Sequence, residues 1–369
     1  MSISPPPTPP SRAVTDDEWR FETVTLPCEW VEDYHPGGYH PVVLGDVFNN
    51  GQYKVIRKLG EGSYSTVWLA CDLRNGGYVA LKILVAQLPE STAELHILRH
   101  ITGTAPTEAA KHVTRLLGEF EHHGPNGVHK CLVFEPMGPS VNSMVEELPQ
   151  FKPRMFGMKV RYPLWMAKGI LKQSLDALTF LHRNGIAHGD FQPGNILFTL
   201  KDLRCTPEDV LRQEEDVEAE SISPPVQRLD GKEDKWAPRY LCVAQPLSPF
   251  TNYTEGFNVK LSDMGGERLG ALPDELYRHW KTSSLYFTPD RKLFNCQIGA
   301  VDPGEEPHMV EQISMEEQFD SAEPDIDEKE ADEVKTLIRW ILQYVPAKRP
   351  SPEEILSHPW FRNIGAGRI

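Results

Sequence analysis

The sequence lacks the features that mark secreted, membrane-spanning and zinc-binding proteins. Its six cysteines are scattered without a Cys-x-x-Cys pair, so neither a disulfide framework nor a zinc site is indicated, and a reducing compartment is the simplest setting. It has no run of about 18 apolar residues that could span a bilayer. It begins with a proline-rich stretch where a signal peptide would have an apolar region. We therefore expect a location in the cytoplasm, the nucleus or both.

Positive charge is scarce relative to negative charge. The chain carries 53 Asp and Glu against 38 Lys and Arg, for a formal net charge of −15. An acidic surface repels nucleic acids and anionic membranes, so we expect neither as a direct partner, and a basic protein suits it better. A hydrophobic fraction of 40% over 369 residues is typical of a globular protein with one large core or two moderate ones.

The first 29 residues are expected to form a tail without fixed structure, because five prolines between Pro5 and Pro10 leave little to build a core. A docking motif for a proline-binding domain is the alternative. Residues 34–41, with their aromatic and turn-forming side chains, predict an extended strap laid on the domain surface. The strap leads directly into the first predicted strand.

Two glycines separate the first two predicted strands. Residues 53–59 alternate in the manner of a half-buried strand, and residues 67–70 again indicate a strand. Gly60 and Gly62 therefore close a hairpin, called the glycine hairpin (residues 60–67), and do not begin a helix, which excludes a dinucleotide-binding motif. Such a hairpin lets backbone amides approach phosphate oxygens, although most glycine hairpins are only turns.

A lysine lies within the apolar strand predicted at residues 79–84. Burying the ammonium of Lys82 is costly without an anionic partner, so its position calls for a carboxylate and a phosphate. Glu94 is the expected partner because the helix predicted at residues 94–101 presents it on the adjoining edge, and Glu90 is the weaker alternative. A lysine on the solvent face of a strand is the other interpretation.

The stretch His-Gly-Asp-Phe-Gln-Pro-Gly-Asn-Ile-Leu, at residues 188–197, places Asp190 and Asn195 five positions apart on a loop broken by proline and glycine. Phosphoryl-transfer enzymes use this layout: the Asp orients an attacking hydroxyl, and the Asn holds a metal ion beside the nucleotide phosphates. Asp263 follows a short predicted strand and supplies a metal-binding carboxylate as the second ligand beside the Asn195 amide. The alternative is a polar turn before a buried strand.

Three further segments organise the chain. Residues 130–138 indicate a buried strand that ends in a Pro/Gly connector, a natural hinge between two lobes. Residues 164–182 predict an amphipathic helix whose buried stripe carries Leu171, Leu175, Leu178 and Leu181. Residues 201–255 are acidic, punctuated by Ser and Pro and poor in periodicity, which predicts an inserted loop, called the spacer.

The order of these motifs resembles that of a eukaryotic protein kinase. The strap, residues 64–70 and the long spacer are similar, more narrowly, to fungal members of the serine/arginine-rich protein kinase family. The motifs Pro-Ala-Lys-Arg-Pro at 346–350 and His-Pro-Trp-Phe at 358–361 agree, so the resemblance covers residues 30–362. It implies an α+β, two-lobed fold: a small antiparallel sheet with one helix forms the N-terminal lobe, and a mainly helical, truncated C-terminal lobe follows.

The resemblance also implies roles for individual residues. Asp190 would accept the proton of a substrate Ser or Thr hydroxyl, Lys82 would hold the phosphates of ATP, and Glu94 would pair with Lys82. Asn195 and Asp263 would bind Mg²⁺. The implied catalytic set is Asp190, Lys82, Glu94, Asn195 and Gln192. The residues implied to contact the nucleotide are Leu59, Gly60, Gly62, Ser65, Val67, Ala80, Lys82, Phe134, Glu135 and Met137.

Several positions depart from the family pattern. Gly189 replaces the arginine that pairs with a phosphorylated activation loop, which predicts activity without such phosphorylation. Gln192 replaces a lysine and removes a cation from the transferring phosphate, which predicts lower turnover. After Gly266 the activation segment and the central helix of the C-terminal lobe are missing. We therefore expect Arg349, deprived of its usual glutamate, to be exposed or paired elsewhere.

These observations predict three regions: a tail (1–29), the strap with the N-terminal lobe (30–135), and the C-terminal lobe (136–369) with the spacer and the deletion. The predicted function is that of a monomeric Ser/Thr protein kinase using Mg²⁺ and ATP on basic, Arg/Ser-rich proteins. The acidic run at 305–333 is consistent with such substrates, and a solvated face without a partner is the alternative interpretation. A catalytically defective, kinase-like ATP-binding or scaffold protein is the first alternative. A small-molecule kinase is the second, against which the C-terminal motifs argue.

Overall fold

The computed structural model describes residues 19–87, 93–104, 110–153, 155, 158–263, 315–343 and 346–361. The chain divides into two compact units. Met1–Arg154 and Pro193–Ser262 form the first, and Met155–Gln192 and Asp263–Ile369 form the second. None of the helices in the described ranges is long and apolar enough to cross a membrane.

A six-stranded antiparallel sheet forms the centre of the first unit. Its strands are β1 (Val47–Phe48), β2 (Tyr53–Gly62), β3 (Ser65–Asp72), β4 (Tyr78–Leu84), β5 (Leu116–Gly124) and β6 (Gly127–Phe134). Their order across the sheet is β1-β2-β3-β4-β6-β5. Helix α1 (Ala93–Thr104) follows β4, and α2 (Val141–Glu147) follows the connector after β6. The predicted α+β class is confirmed.

Both faces of this sheet are covered. Trp68 and Ala70 of β3 lie in one apolar cluster, and their neighbours Leu69 and Cys71 lie in another. Because successive residues of a strand point to opposite faces, the two clusters lie on opposite sides of the sheet. This double cover explains why β3 is buried along its length, where a sheet with one wet face would alternate.

The spacer provides much of this cover. It contains a short helix, α4 (Glu208–Leu211). Tyr240 and Cys242 pack on the face that carries Trp68, whereas Leu211 and Leu247 pack, fully buried, on the opposite face. The sequence therefore predicted the insertion but not its packing. The backbone of the spacer is irregular, so its buried apolar residues have no regular spacing in the sequence. Each of them packs at a separate position on the sheet.

The N-terminal segment, residues 19–46, belongs to the same core. Phe21 and Tyr39 are 2% and 5% exposed, and they cluster with Leu241 of the spacer. The structure thus differs from the predicted tail and strap. Ordered chain begins before residue 30, and the strap is enclosed because the spacer packs against it. Residues 1–18 lie outside the described residues.

The spacer leaves and rejoins the fold at one short pair of strands. β7 (Ile196–Phe198) pairs antiparallel with β8 (Val259–Leu261), so the two ends of the insertion lie side by side. Residues 193–262 group with the sheet, which differs from the predicted boundary after residue 135. The physical reason is that the spacer packs on the sheet and draws β7 and β8 into the same contact group.

Helices make up most of the described part of the second unit. They are α3 (Leu164–Arg183), α5 (Met315–Ser321), α6 (Glu328–Ile341) and α7 (Pro352–Leu356). Leu175 of α3, Leu337 of α6 and Trp360 after α7 lie in one apolar cluster. The predicted helix at residues 164–182 is present, but Leu171 is 41% exposed, so its stripe is narrower than expected.

The start of α7 shows how local signals shape this unit. The Ser351 hydroxyl accepts a hydrogen bond from the Glu354 backbone N–H, and the Glu354 carboxylate accepts one from the Ser351 N–H, a capping box. Just before it, Arg349 is exposed, and its Nε donates to the Gln343 carbonyl at 2.7 Å. The expectation for Arg349 is confirmed. The deletion predicted after residue 266 lies within residues 264–314, which are outside the described ranges.

Candidate active site

The glycine hairpin joins β2 to β3. Gly62 pairs with Ser65 across the turn, and residues 61–64 are exposed. A Cβ atom placed on Gly60 or Gly62 would meet nothing within 4 Å, so the backbone there borders open space. Phosphate oxygens can therefore approach these peptide groups closely.

Lys82 and Glu94 meet in the first unit. β4 places Lys82 opposite Val67 of β3, and α1 carries Glu94 in its first turn. Lys82 Nζ lies 2.8 and 3.0 Å from the two carboxylate oxygens of Glu94, and the side chains are 17% and 16% exposed. The carboxylate offsets the desolvation of the ammonium and fixes its direction. This is the partner expected from the helix pattern.

The side chains expected around adenine lie along the neighbouring strands and the connector. Phe134, the last residue of β6, pairs with Ala80 of β4. Leu59 is partly buried, and Met137 is 8% exposed. Glu135 forms an ion pair with Lys260 of β8 at 2.5 Å, which ties its side chain to the β7–β8 pair and leaves its backbone as the group available to a base.

The connector also depends on a glycine. The Gly138 N–H donates to the Phe198 carbonyl at 2.8 Å. A Cβ atom at this position would lie 2.5 Å from Oγ1 of Thr251, a fully buried residue of the spacer. Only glycine allows the connector and the end of the spacer to approach this closely.

A cavity of about 210 Å³ lies beside the connector. Its wall comprises Tyr78, residues 135–137 and residues 199–204. It shares Glu135 and Met137 with the predicted nucleotide contacts but includes neither the glycine hairpin nor Lys82. Sequence reasoning missed this cavity because much of its wall belongs to the spacer and to the chain that enters it.

The predicted metal ligands adjoin the β7–β8 pair in sequence. Asn195 precedes β7, and Ser262 donates its N–H at 2.9 Å and its hydroxyl at 3.1 Å to the Asn195 carbonyl. Asp263 follows with φ of +57°, a left-handed conformation that Asp tolerates better than most residues. An amide oxygen and a carboxylate suit Mg²⁺, which needs few protein ligands beside water and phosphate. No cluster of three His, Cys, Asp or Glu arranged to hold a metal occurs in the described ranges.

The loop after α3, in the second unit, carries Asp190. Its N–H donates to Nδ1 of the buried His188 at 3.4 Å, and Gln192 Nε2 donates to Asp190 Oδ2 at 2.7 Å. Gly189 has φ of +82°, so an arginine at this position would be strained. The two departures seen in the sequence therefore have structural counterparts: a left-handed turn at Gly189, and an amide on the carboxylate of Asp190.

Sequence reasoning missed one buried lysine. Lys58 lies in β2 directly before the glycine hairpin, and its side chain is 0% exposed. The signal was the same as for Lys82, a lysine inside an apolar strand. Its main partner, Glu29, lies in a stretch predicted to be a tail, so no partner was sought there.

Residues 53–206 match the protein kinase domain family. The kinase domain match includes the glycine hairpin, Lys82, Glu94, Asp190 and Asn195, and it ends before Asp263.

The kinase domain has relatives among named protein kinases. Protein kinase dsk1 of Schizosaccharomyces pombe is 38% identical over 205 residues, 54% of this chain and 35% of the relative. Serine/threonine-protein kinase SRPK of Physarum polycephalum is 36% identical over 250 residues, 64% of this chain and 54% of the relative. Human SRSF protein kinase 3 is 36% identical over 176 residues, 46% of this chain and 29% of the relative. The resemblance to this group of kinases is confirmed.

The chain spans about half or less of the length of the curated relatives it matches, with 35% of dsk1 and 54% of the Physarum kinase covered. Among solved structures, one crystallised kinase domain aligns with a TM-score of 0.45 and 18% identity, over 88% of this chain and 98% of the other.

Proposed function

We propose that this chain is a Ser/Thr protein kinase that transfers the γ-phosphoryl group of ATP to basic, Arg/Ser-rich proteins. The observation that carries the proposal is the ion pair between Lys82 and Glu94, at 2.8 Å, within the residues that match the protein kinase family. Protein kinases need this Lys–Glu pair in place for phosphoryl transfer, because it holds the lysine on the nucleotide phosphates.

Each remaining group then has a defined task. The backbone of Gly60 and Gly62 lies against the phosphates, and the connector at residues 135–137 hydrogen-bonds the adenine through its main chain. Asp190 accepts the proton of the attacking hydroxyl. Asn195 and Asp263 hold Mg²⁺, which neutralises charge on the phosphates when bound.

The departures in the catalytic loop define how this kinase would behave. Gly189 cannot pair with a phosphorylated activation segment, so activity needs no such modification. Gln192 supplies a neutral amide where the related enzymes place a lysine, so less positive charge faces the transferring phosphate. We therefore expect a slow enzyme whose activity does not depend on phosphorylation of an activation segment.

The proposed substrate class follows from charge and from relatives. The net charge of −15 favours basic partners, with or without a kinase site. The name of human SRSF protein kinase 3 places that relative on SRSF proteins. Basic Arg/Ser-rich substrates would place this chain in the cytoplasm, the nucleus or both.

One observation favours a second candidate, an ATP-binding protein that does not transfer phosphate. The Gln192 amide donates to Asp190 Oδ2 at 2.7 Å and so competes with a substrate hydroxyl for that oxygen. A hydrogen bond that persists with substrate bound stabilises the charged carboxylate and makes Asp190 a weaker base. Gln192→Lys removes the amide and restores the cation, so it should raise turnover under the first proposal.

The test is phosphate transfer from labelled ATP to an Arg/Ser-repeat peptide, with a Glu/Ser-repeat peptide as the matched control. Asp190→Asn should lower kcat by about 10²–10⁴-fold and leave Mg-ATP binding intact. Wild-type transfer no greater than that of Asp190→Asn, together with measurable Mg-ATP binding, would reject the first candidate and support the second. Equal transfer to both peptides would reject the substrate class.

A further inference from the structure

One ammonium group joins three parts of the first unit. Lys58 Nζ contacts Glu29 of the N-terminal segment, lies 3.0 Å from Glu61 of the glycine hairpin, and donates to the Cys242 carbonyl of the spacer at 3.0 Å. The other carboxylate oxygen of Glu29 accepts a hydrogen bond from the Tyr34 hydroxyl at 2.5 Å. The N-terminal segment, the hairpin and the spacer therefore meet at a single charge.

Further hydrogen bonds hold the same strand and the hairpin beyond it. The Lys58 N–H donates to Gln213 Oε1 at 2.9 Å, and the Gln245 N–H donates to the Lys58 carbonyl at 2.9 Å. The Tyr39 hydroxyl donates to the Gly62 carbonyl at 2.8 Å. The strap thus reaches the exposed part of the glycine hairpin itself.

Opposite charges stabilise the contacts of Lys58 with Glu29 and Glu61. Burial lowers the pKa of Lys58, but Glu29 and Glu61 more than offset that effect, so its pKa lies above the usual value and the group stays charged. A buried ion pair that loses one partner leaves an uncompensated charge, whereas neutral replacement of both partners removes the penalty. The Glu61 side chain is 27% exposed, so water can solvate its carboxylate when Lys58 is absent. Without Lys58, however, no cation holds that carboxylate in its position.

We propose that Lys58, Glu29 and Tyr39 are positioning residues that tie the glycine hairpin to the N-terminal segment and the spacer and so set it for its nucleotide. The N-terminal segment and the spacer thereby act on phosphate binding without touching the nucleotide. The nucleotide part of this inference rests on the proposed function.

A purely structural role would not explain where these contacts end. A role in core packing would require contacts with buried residues of β2, and Lys58 is one such residue. Glu61 and Gly62, by contrast, are exposed residues of the hairpin, yet each receives a directed partner, Lys58 for the carboxylate and Tyr39 for the carbonyl. Contacts placed there restrict the position of the hairpin and add little to the core.

The first test uses no nucleotide. Tyr39→Phe removes only the hydroxyl that reaches Gly62 and keeps the buried ring. Tyr240→Phe is the matched control, because its hydroxyl accepts from the Leu44 N–H and does not touch the hairpin. Amide hydrogen exchange in the peptide covering residues 59–66 should be about fivefold faster in Tyr39→Phe and unchanged in Tyr240→Phe. Equal exchange in both variants would overturn the proposal.

A second test separates positioning from stability. Lys58→Met leaves the Glu29 carboxylate buried without a cation, so the melting temperature should fall. In the double variant Lys58→Met/Glu29→Gln no buried unpaired charge remains, since only the partly exposed Glu61 has lost its cation, so the melting temperature should recover. Hairpin exchange should stay raised, because Glu61 still lacks its cation. Joint recovery of both quantities would show a structural role alone and contradict the proposal.

A third test links the hairpin to the nucleotide. In Tyr39→Phe, KM for ATP should rise about fivefold with kcat little changed, matching the loss of one hydrogen bond, while Tyr240→Phe keeps the wild-type KM. Faster exchange with an unchanged KM would overturn the link to phosphate binding. If the wild-type chain binds no ATP, the proposed function fails, and the exchange measurements still decide whether these residues position the hairpin.

Discussion

The two units of this chain build their cores by different means. In the first, a sheet is closed on both faces by the N-terminal segment and the spacer, which contain little regular structure. In the second, helices pack on one another through a cluster that includes Leu175, Leu337 and Trp360. Lys168 adds an ion pair to Glu330 at 2.6 Å beside the Trp360 ring.

The two units differ in the sequence separation between the residues that stabilise them. A helix with its own apolar stripe and cap is specified largely by residues close together in the sequence. A sheet covered by irregular segments depends on apolar side chains that come from distant parts of the sequence, each of which packs at a particular position. Single residues of the spacer should therefore matter as much as strand residues, whereas local defects in the helices should stay local.

The largest expected effect tests whether the spacer is core. Leu247→Ala should lower the free energy of unfolding by about 2–5 kcal/mol, because deleting a fully buried leucine loses its transfer energy and leaves a cavity. Leu229→Ala, in the same spacer but 58% exposed, should change it by no more than about 0.5 kcal/mol. Urea unfolding followed by circular dichroism measures both. A small effect at both positions would contradict the claim that the spacer forms part of the core of the first unit.

An intermediate effect comes from acid acting on the first unit. His40 packs against Phe48, His122 and His129, and burial, with the two histidines adding to it, lowers its pKa to about 3. Below about pH 6.5 the unfolded chain binds a proton that the folded chain does not, so stability falls as pH drops towards about 3, by at most about 1.4 kcal/mol per pH unit.

His40→Leu should remove its share of this slope when urea unfolding is repeated between about pH 7 and pH 5. It should also be tolerated at neutral pH, because His40 Nδ1 has no hydrogen-bond partner among the described residues. An unchanged slope in His40→Leu would contradict the assignment.

The smallest effect belongs to the second unit. Ser351→Ala removes the capping hydroxyl of α7 and should lower the free energy of unfolding by about 1 kcal/mol. Ser357→Ala, at the other end of the same helix, should cost less because its hydroxyl bonds only the Glu353 carbonyl. Hydrogen exchange should rise in peptides of α7 and stay unchanged in the sheet. Faster exchange in the sheet as well would show that local defects do not stay local.

Local patterns were sufficient wherever one element carries its own signal. The glycine hairpin and the strand with Lys82 could both be predicted from periodicity and residue type. The partner of Lys82 followed from the rule that a part-buried ammonium needs a carboxylate, and α1 offers Glu94 on the adjoining edge.

The remaining structure has no local signal. Lys58 and Glu29 lie 29 positions apart, and Glu29 sits in a stretch whose composition indicates a tail. The spacer hides its buried residues among acidic and turn-forming ones, because an irregular backbone imposes no period on them. The hydrogen bond from Gln192 to Asp190 depends on how a tight turn folds, which residue spacing alone does not specify.

The double cover of the sheet has a practical consequence for anyone who shortens this protein. Removing the spacer as a dispensable insertion would uncover part of the apolar surface around Trp68 and Leu69, now 1% and 0% exposed, on opposite faces of the sheet. A broad apolar surface of this kind promotes aggregation. A soluble shortened version would need polar residues in place of the uncovered apolar ones on both faces of the sheet. Deleting the spacer therefore requires the sheet surface to be redesigned as well.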